Sequence, residues 1–313
     1  MRVFLAGGSG VVGGRLIPAL GRAGHSVTAL TRSPEKADTL RALGAEPAVV
    51  DALDRDGIVA AVQAAEPEAV IHQLTAIPDR LNPRKMARDF GPTNRLRSEG
   101  TDNLIEAARA AGARRFLAQS FAGWPFAREG GPVKDEDDPL DPAPPGDLAP
   151  LLDAIRHLES AVPGAAGLEG IVLRYGFFYG PGTAISSDGG TGIEVRRRRF
   201  PVVGDGGGVW SFIQIDDVAD ATVAALERGR PGIYNVVDDE PARVSEWLTV
   251  LADALGAGPP RRVPGWVGRL AAGPHGLAMM TSVRGASNAK IKRELGWEPG
   301  HPSWRAGFRS ALG

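Results

Sequence analysis

Glycines with the spacing G-x-x-G-x-x-G lie close to the start of the chain. Gly7, Gly10 and Gly13 follow the apolar run 2–6 and precede a helical pattern. Such glycines permit a tight turn, let backbone N–H groups approach a pyrophosphate, and allow a helix to pack closely on a strand. The N-terminus of that helix then faces the anion. The pattern predicts a dinucleotide site whose binding residues are Gly7, Ser9, Gly10, Val11, Val12 and Gly13.

The residue that follows the second predicted strand indicates which dinucleotide to expect. An acidic residue there binds the ribose hydroxyls of NAD, whereas a basic residue meets the 2′-phosphate of NADP. Arg32 occupies this position, and no carboxylate precedes it in the segment from Ala29 to Ser33. We therefore expect NADP, with NAD as the alternative. A solvated surface arginine is the simpler interpretation of Arg32 taken alone.

Alternating strand and helix patterns position these residues. Short β-branched runs alternate with helical stretches up to Leu173, which is typical of βαβ units on a parallel sheet. Glycines just beyond three of the helices agree with this periodicity. The predicted strands are 2–6, 26–31, 47–50, 69–72, 115–118, 171–173 and 233–236, and the predicted helices are 12–22, 34–43, 55–65, 92–111, 148–162, 218–227 and 289–295.

These elements predict an α/β fold, a Rossmann doubly wound parallel sheet with a small C-terminal substrate lobe. The dinucleotide-binding domain is expected in residues 1–175, with a return of the chain at about 210–240, and the lobe mainly in 176–313. The Asp- and Pro-rich segment 134–150 is predicted to be a loop over the carboxyl edge of the sheet. Its acidic run 135–138 is interpreted as solvated.

The composition narrows the classes of function. The 313 residues include 36 Lys and Arg against 37 Asp and Glu, so no strong field favours nucleic acid or anionic membrane. The absence of cysteine excludes thiolate chemistry, and the five histidines show no metal-ligand spacing. No apolar run reaches membrane-spanning length and no signal peptide is visible, so we expect a cytoplasmic protein with a small-molecule substrate.

An ordered series of motifs over nearly the whole chain resembles the extended short-chain dehydrogenase/reductase family, which includes nucleotide-sugar epimerases and dehydratases. The matching segments are the glycine turn, Asp51, 70–72, 100–101, 173–175, 179–182, 212–219, 234–235 and 294–297. The resemblance implies an NADP-dependent oxidoreductase, epimerase or isomerase, and it leaves room for a homodimer. It also implies further cofactor contacts from Asp51, Leu74, Thr75, Tyr175, Phe177 and Phe178.

The chain departs from that family at the residues that usually transfer a proton. The family pattern is Tyr-x-x-x-Lys on the fifth helix, and alignment on Glu159 places Leu151 and Ile155 at those two positions. Neither side chain can transfer a proton. Ser120, after the fifth strand, is the first candidate for a catalytic residue, and Tyr175 is the second. The alternative is that Ser120 only bonds the backbone and Tyr175 only packs.

The substrate side also departs from the nucleotide-sugar enzymes. Trp210 stands where the resemblance implies a diphosphate-binding arginine, so nucleotide sugars are expected to be poor ligands. Phe121, Trp124 and Trp210 are the predicted substrate-binding residues, and with Phe177 and Phe178 they would line an apolar pocket. Ordinary core packing is the alternative for all five.

Three kinds of function remain open from the sequence. The first is an enzyme of the extended type acting on a small, partly apolar metabolite, which the retained Ser120 and the complete lobe favour. The second is a catalytically altered NADP-binding sensor or regulatory protein, which the loss of Tyr and Lys favours. The third is an enzyme that uses the dinucleotide structurally for non-redox chemistry.

Overall fold

A computed structural model describes residues 1–78, 82 and 85–313. Its strands are β1 Arg2–Ala6, β2 Ser26–Thr31, β3 Glu46–Val49, β4 Ala69–His72, β5 Arg115–Phe121, β6 Val133–Lys134, β7 Glu169–Tyr175, β8 Phe177–Tyr179, β9 Val202–Val203, β10 Val209–Trp210, β11 Phe212–Gln214, β12 Gly232–Val236, β13 Ala242–Arg243, β14 Arg262–Val263 and β15 Gly285–Ala286.

Twelve α-helices connect these strands in the part of the chain that the structure describes. They are α1 Val11–Arg22, α2 Ala37–Ala42, α3 Arg55–Ala65, α4 Met86–Arg97, α5 Glu99–Ala110, α6 Ala149–Ala161, α7 Gly190–Arg196, α8 Ile215–Arg228, α9 Val244–Ala254, α10 Gly265–Thr281, α11 Ala289–Leu295 and α12 Trp304–Ser310. A 3₁₀ helix, Pro34–Lys36, precedes α2.

Seven of the strands form one parallel sheet in the order β12-β7-β5-β4-β1-β2-β3. Both faces of this sheet are covered by helices, so its central strands are apolar on both sides. Helices α1 and α8 pack on one face through residues such as Leu16 and Val218. Helices α3, α5 and α6 pack on the other through Ile58, Leu104 and Leu158. The predicted α/β fold with a doubly wound parallel sheet is confirmed.

The remaining strands form small pairs in the C-terminal part of the chain. The parallel pair of β8 with β11 extends the carboxyl side of β7, and the antiparallel pair of β10 with β13 lies next to it. A separate hydrophobic core is built around Trp247, Trp304, Phe212 and Phe308, all of which are buried. Within the described residues, no helix has the length and apolar character needed to cross a membrane.

The predicted helix 92–111 is wrong as a single element. The structure has two helices, α4 and α5, separated at Ser98, whose ψ of −80° is not helical. The Ser98 hydroxyl donates to the Asn94 carbonyl at 3.0 Å, a local bond of the kind that competes with the helical ladder. Helix α4 also begins before Pro92, which lies in its interior. The predicted helix 34–43 is likewise divided, into the 3₁₀ helix and α2.

The acidic run 135–138 is not wholly solvated, which corrects the interpretation made from the sequence. Glu136 is half-buried and its Oε1 accepts the backbone N–H of Asn235 in β12 at 2.7 Å. Asp138 pairs with the buried Lys134 at 2.7 Å. The run therefore fastens this segment to the edge of the sheet.

Candidate active site

The glycine turn lies between β1 and α1 at the carboxyl edge of the sheet, and its spacing is required by close backbone contacts. Gly7 has a φ of +99°, and a Cβ there would lie 2.7 Å from the backbone of Gln73. A Cβ on Gly13 would lie 2.4 Å from the carbonyl oxygens of Gly7 and Gly8. A Cβ on Gly10 would meet only the Gly7 oxygen, at 3.4 Å, so this glycine keeps the outer side of the turn open.

The N-terminus of α1 is free to receive an anion. Its N-cap residue, Gly10, makes no side-chain cap, and the first turn contains no acidic residue. Backbone N–H groups at such a helix end, together with the helix dipole, form an anion site. Ser9 and Val11 flank it, and Val11 is 47% exposed. The turn and the helix end together fit the pyrophosphate of a dinucleotide.

Arg32 and Asp51 lie beyond the ends of two neighbouring strands, β2 and β3. Arg32 is exposed, and among the described residues no side chain forms a hydrogen bond or ion pair with its guanidinium. Asp51 is exposed, and its Oδ1 accepts the Leu53 N–H at 3.0 Å. Leu74 and Thr75 follow β4 at the same edge. The predicted cofactor residues are therefore distributed along one edge of the sheet.

His72 closes β4 with both ring nitrogens bonded. Nδ1 accepts the Leu74 N–H at 3.2 Å, and Nε2 lies 3.2 Å from the Leu96 carbonyl oxygen. This second bond requires the proton on Nε2, because a carbonyl can only accept. Burial lowers the pKa of His72 to about 4, so the ring is neutral near pH 7. Its role is structural, because it fastens the end of α4 to the end of β4.

Ser120 forms part of a buried ionic cluster. Its hydroxyl donates to Glu159 Oε1 at 2.6 Å, and Arg174 donates to both oxygens of the same carboxylate at 2.8 and 2.7 Å. All three residues are more than nine-tenths buried. Because the hydroxyl has a single proton and Glu159 receives it, Ser120 has no proton left for a substrate. This geometry favours a structural role over the catalytic role expected for Ser120.

Tyr175 is also enclosed. Its hydroxyl accepts from Gln73 Nε2 at 2.9 Å and lies 2.8 Å from Thr222 Oγ1. The Thr222 proton goes to the Val218 carbonyl at 2.7 Å, so Tyr175 donates to Thr222. Burial raises the pKa of Tyr175 to about 12, which makes its phenol a poor acid. The geometry again favours packing over the proposed catalytic role.

The face of α6 that should carry the proton-transfer residues is apolar. Leu151 and Ile155 are each 1% exposed. Leu151 packs with Met86, Leu148 and Trp124, so the position of the family tyrosine is filled by hydrocarbon. No acid or base from this helix reaches the cleft at these two positions.

Three of the aromatic side chains that the sequence predicts to line a substrate pocket, Phe121, Phe177 and Trp210, form a continuous aromatic wall. Phe121 contacts Phe177 edge-to-face with 5.0 Å between ring centroids, and Phe177 stacks on Trp210 at 3.9 Å. Trp210 is buried and its Nε1 donates to the Met279 carbonyl at 2.8 Å. Trp210 therefore supports the wall from behind, while the half-buried Phe121 and Phe177 present its surface.

The remaining predicted aromatic residues, Trp124 and Phe178, have ring contacts in two different places. Trp124 is half-buried and contacts the ring of His275 from α10 edge-to-face, with 6.0 Å between centroids. Burial lowers the pKa of His275 to about 4. Phe178 instead lies against Tyr175 at 5.7 Å, on the side of the sheet core. Trp124 thus remains a candidate for substrate contact, and Phe178 for the cofactor side.

Arg97 was missed by the sequence analysis. It ends α4, is 7% exposed, and its Nε is buried without a hydrogen-bond partner. The apolar periodicity gives no sign of this burial, because Arg97 lies in a segment predicted to continue as a regular helix. Ser98 is the one local signal, since serine can bond the backbone and interrupt a helix directly after Arg97.

Comparisons with known proteins agree with this geometry. The model of the NAD dependent epimerase/dehydratase family matches residues 3–236. A 3-diazoavenalumate denitrifying reductase of a Streptomyces species is 47% identical over 98% of this chain and 99% of its own length. A ketoreductase from Stigmatella aurantiaca, named for a 4-hydroxy-2-methyl-3-oxo-4-farnesyl-3,4-dihydroquinoline-1-oxide substrate, is 30% identical over 82% of this chain and 74% of its own.

Solved structures show the same fold. The UDP-glucose 4-epimerase of Thermus thermophilus in complex with NAD is 26% identical, covers 100% of this chain and 98% of its own, and superposes with a TM-score of 0.74. The named relatives are reductases and epimerases, and the family depends on a nicotinamide dinucleotide. With its glycine turn, parallel sheet and matching segments, the chain belongs to the NAD dependent epimerase/dehydratase family and is an oxidoreductase- or epimerase-like enzyme.

Proposed function

We propose that this enzyme is an NADP-dependent reductase that acts on an aryl diazonium acid and releases dinitrogen. The 3-diazoavenalumate denitrifying reductase, with which it shares nearly its whole length, supports this substrate class. The observation that carries the proposal is the apolar face of α6, where Leu151 and Ile155 replace the proton-transfer pair. Serine and tyrosine near the cleft do not compensate, because both Ser120 and Tyr175 are buried and bonded within the protein.

The absence of a general acid at residues 151 and 155 favours some hydride acceptors over others. A ketone becomes an alkoxide when hydride arrives, and a general acid normally protonates that oxygen. An aryl diazonium ion already carries the positive charge, so it accepts hydride without a proton. A cleft that offers hydrocarbon at residues 151 and 155 therefore suits a cationic acceptor better than a carbonyl.

The reaction balances without any protein acid. The glycine turn, the N-terminus of α1 and Arg32 would hold NADPH, which would supply the hydride and become NADP⁺. The terminal nitrogen of the diazonium ion gains the hydride and gives a neutral aryl diazene. The carbon–nitrogen bond then breaks and dinitrogen leaves, while the hydrogen takes its place on the ring carbon. One diazonium ion and one hydride therefore yield one arene and one dinitrogen.

NADP is the form of the cofactor that the binding residues favour. The backbone of the glycine turn and the N-terminus of α1 would hold the pyrophosphate. Arg32 is exposed and has no partner among the described residues, so its guanidinium is available for a 2′-phosphate. Charge complementarity at this position supports NADP over NAD.

The aromatic wall supports a planar, cationic substrate. Phe121 and Phe177 present ring surfaces to the cleft, and Trp210 holds Phe177 from behind by stacking. Aromatic faces attract cations as well as other aromatic rings. The same wall offers no cation to a sugar diphosphate, which agrees with the expectation that nucleotide sugars bind poorly.

The proposal is tested by incubating the purified chain with NADPH and 3-diazoavenalumate. We expect NADPH to be oxidised in a one-to-one ratio with a product that lacks the diazo nitrogens, with dinitrogen detected by isotope labelling of the diazo group. Ketone substrates in a parallel panel should react far more slowly. Reduction of ketones without any enzyme-dependent reduction of the diazonium acid would contradict the proposal.

Spontaneous reduction of diazonium ions by NADPH requires a matched control. Gly10→Ala should fold, because the added Cβ meets the Gly7 oxygen at 3.4 Å, but it fills the space that the pyrophosphate would approach. Gly14→Ala in the same helix meets nothing within 4 Å. Enzyme-dependent turnover should therefore fall with Gly10→Ala and persist with Gly14→Ala.

A further inference from the structure

Arg97 is a buried arginine whose Nε has no hydrogen-bond partner among the described residues. Its side chain lies at the end of α4, and among the described residues no carboxylate forms an ion pair with the guanidinium. An unpaired charge in the interior is costly, and an anion bound to the guanidinium would offset that cost. Burial lowers the pKa of Arg97 to about 10, which still leaves the side chain charged near pH 7.

The carboxylate that acts on Arg97 from nearby is already occupied. Glu159 accepts two bonds from Arg174 and one from Ser120. His72, also close to Arg97, is neutral near pH 7. The Glu159 carboxylate is thus bonded to Arg174 and Ser120, and the buried Nε of Arg97 is left without a hydrogen-bond partner. This unbonded donor indicates a place for an anion.

The position of Arg97 in the fold agrees with a ligand site. His72 holds the Leu96 carbonyl at the carboxyl end of β4, and Ser120 holds Glu159 at the carboxyl end of β5. Arg97 directly follows Leu96 and ends α4, so its backbone lies beside the carboxyl end of β4. Ligands of open α/β sheets bind at this edge. Ile155, where the family resemblance implies a lysine, is one helical turn before Glu159.

We infer that Arg97 binds the carboxylate of the substrate, an assignment that rests on the proposed function for its substrate class. A guanidinium matches a carboxylate with two parallel hydrogen bonds, and this geometry fixes orientation as well as charge. The aromatic wall of Phe121 and Phe177 would then hold the ring while Arg97 holds the acid group. The substrate class is thereby narrowed to planar acids in which an aromatic ring carries the carboxylate directly or through conjugated double bonds.

A binding experiment tests this assignment without any turnover. Cinnamate is the probe, cinnamamide is the uncharged comparison, and both are titrated calorimetrically into the NADP-loaded enzyme. We expect Arg97→Met to weaken cinnamate binding by roughly 10- to 100-fold, the effect of losing a charge-assisted bond, and to leave cinnamamide binding unchanged. Arg97→Lys should retain part of the affinity. The matched control is Arg95→Met, because Arg95 is exposed on the same helix and pairs with Glu99.

Thermal unfolding distinguishes ligand binding from a structural role. If Arg97 serves a ligand, Arg97→Met should keep or raise the unfolding temperature of the ligand-free protein, because it removes an unpaired buried charge. A lower unfolding temperature, with acid and amide affinities both unchanged, would overturn the assignment. So would a loss of NADPH affinity in place of cinnamate affinity.

The two proposals fail in different ways. If the parent enzyme binds cinnamate through Arg97 but reduces no diazonium acid, the carboxylate site stands and the proposed reaction fails. If the parent and Arg97→Met reduce a diazonium acid and benzenediazonium, which has no carboxylate, with the same ratio of KM values, the reaction stands and the carboxylate site fails.

Discussion

Glu159 accepts a hydrogen bond from Ser120, a residue that the sequence analysis had predicted to be catalytic. Ser120 was the first candidate for a catalytic residue, but its partner lies 39 positions away, and such a long-range bond leaves no local pattern. Tyr175 has its partner Gln73 at a separation of 102 positions. Residue types near a strand end can therefore be predicted from the sequence, whereas the partners that occupy their protons cannot.

Ser120→Ala should affect stability more than turnover. Loss of a buried hydrogen bond to a carboxylate should lower the free energy of unfolding by about 1–3 kcal/mol. Turnover should stay within about twofold, because the hydroxyl proton is held by Glu159. Denaturant unfolding and steady-state kinetics measure the two effects. A stable variant with turnover lowered a hundredfold or more would show that Ser120 is catalytic after all.

Arg32→Ala should separate the two cofactors. A lost charge-assisted bond to the 2′-phosphate should weaken NADP binding by roughly 10- to 100-fold, and NAD affinity should not change. Fluorescence titration of both cofactors gives the dissociation constants. Arg41→Ala is the control, since Arg41 is exposed on α2 and pairs with Asp38. Equal affinity of the parent enzyme for NAD and NADP would rule out this role for Arg32.

The elements could be predicted where the period of the sequence and the glycines at helix ends agree. Helix α3 and the strands β1, β2 and β4 have the expected bounds, because each combines an apolar period with clear end signals. The break between α4 and α5 was not predicted, since it depends on Ser98 and on tertiary contacts such as that of His72 with Leu96. This break brings Arg97 into the interior.

Restoring the Tyr-x-x-x-Lys motif at positions 151 and 155 of α6 should not give the enzyme ketone reductase activity. Leu151→Tyr with Ile155→Lys would place a lysine in the buried interior, one helical turn before Glu159, and a phenol among Met86 and Leu148. Burial of an unpaired lysine and overpacking should each lower the free energy of unfolding by more than about 1 kcal/mol. Thermal unfolding and a ketone assay check this. A stable double variant that reduces ketones would contradict our account of the cleft.

At the scale of the whole molecule, the C-terminal lobe contains polar groups that are buried without partners. Asp238 is 1% exposed with Oδ2 unbonded, and the hydroxyl of Tyr179 is also buried and unbonded. Burial raises the pKa of Asp238 to about 8, and nearby Asp239 and Glu240 add to this effect. Burial also raises the pKa of Tyr179. This part of the molecule is thus packed around Asp238 and Tyr179, and burial favours the protonated, neutral form of both side chains.

This burial predicts how stability changes with pH. The native state keeps the Asp238 proton up to about pH 8, whereas the ordinary value is 3.8. Between these two pH values the native state therefore binds more protons than the unfolded state. The contribution of Asp238 to the free energy of unfolding falls as pH rises from about 4 to 8. Asp238→Asn does not ionise, so its unfolding temperature relative to the parent should be higher at pH 9 than at pH 5.

Thermal unfolding at these two pH values provides the measurement. Asp56→Asn serves as the control, because the Asp56 side chain is 97% exposed. A difference between Asp238→Asn and the parent that does not change with pH would show that Asp238 is ionised in the native state throughout this range.

The hydrogen bond from the Asn235 N–H to Glu136 affects how two copies of the molecule can associate through their sheet edges. Strand β12 is an outer strand of the sheet, and on its free side Lys290 Nζ also donates to the Ile233 carbonyl at 2.9 Å. At the other outer strand, β3 is only four residues long and contains Pro47, which has no N–H to offer. A strand from another molecule would find few backbone groups to pair with at either edge, so the sheet is protected from aggregation through edge-to-edge strand pairing.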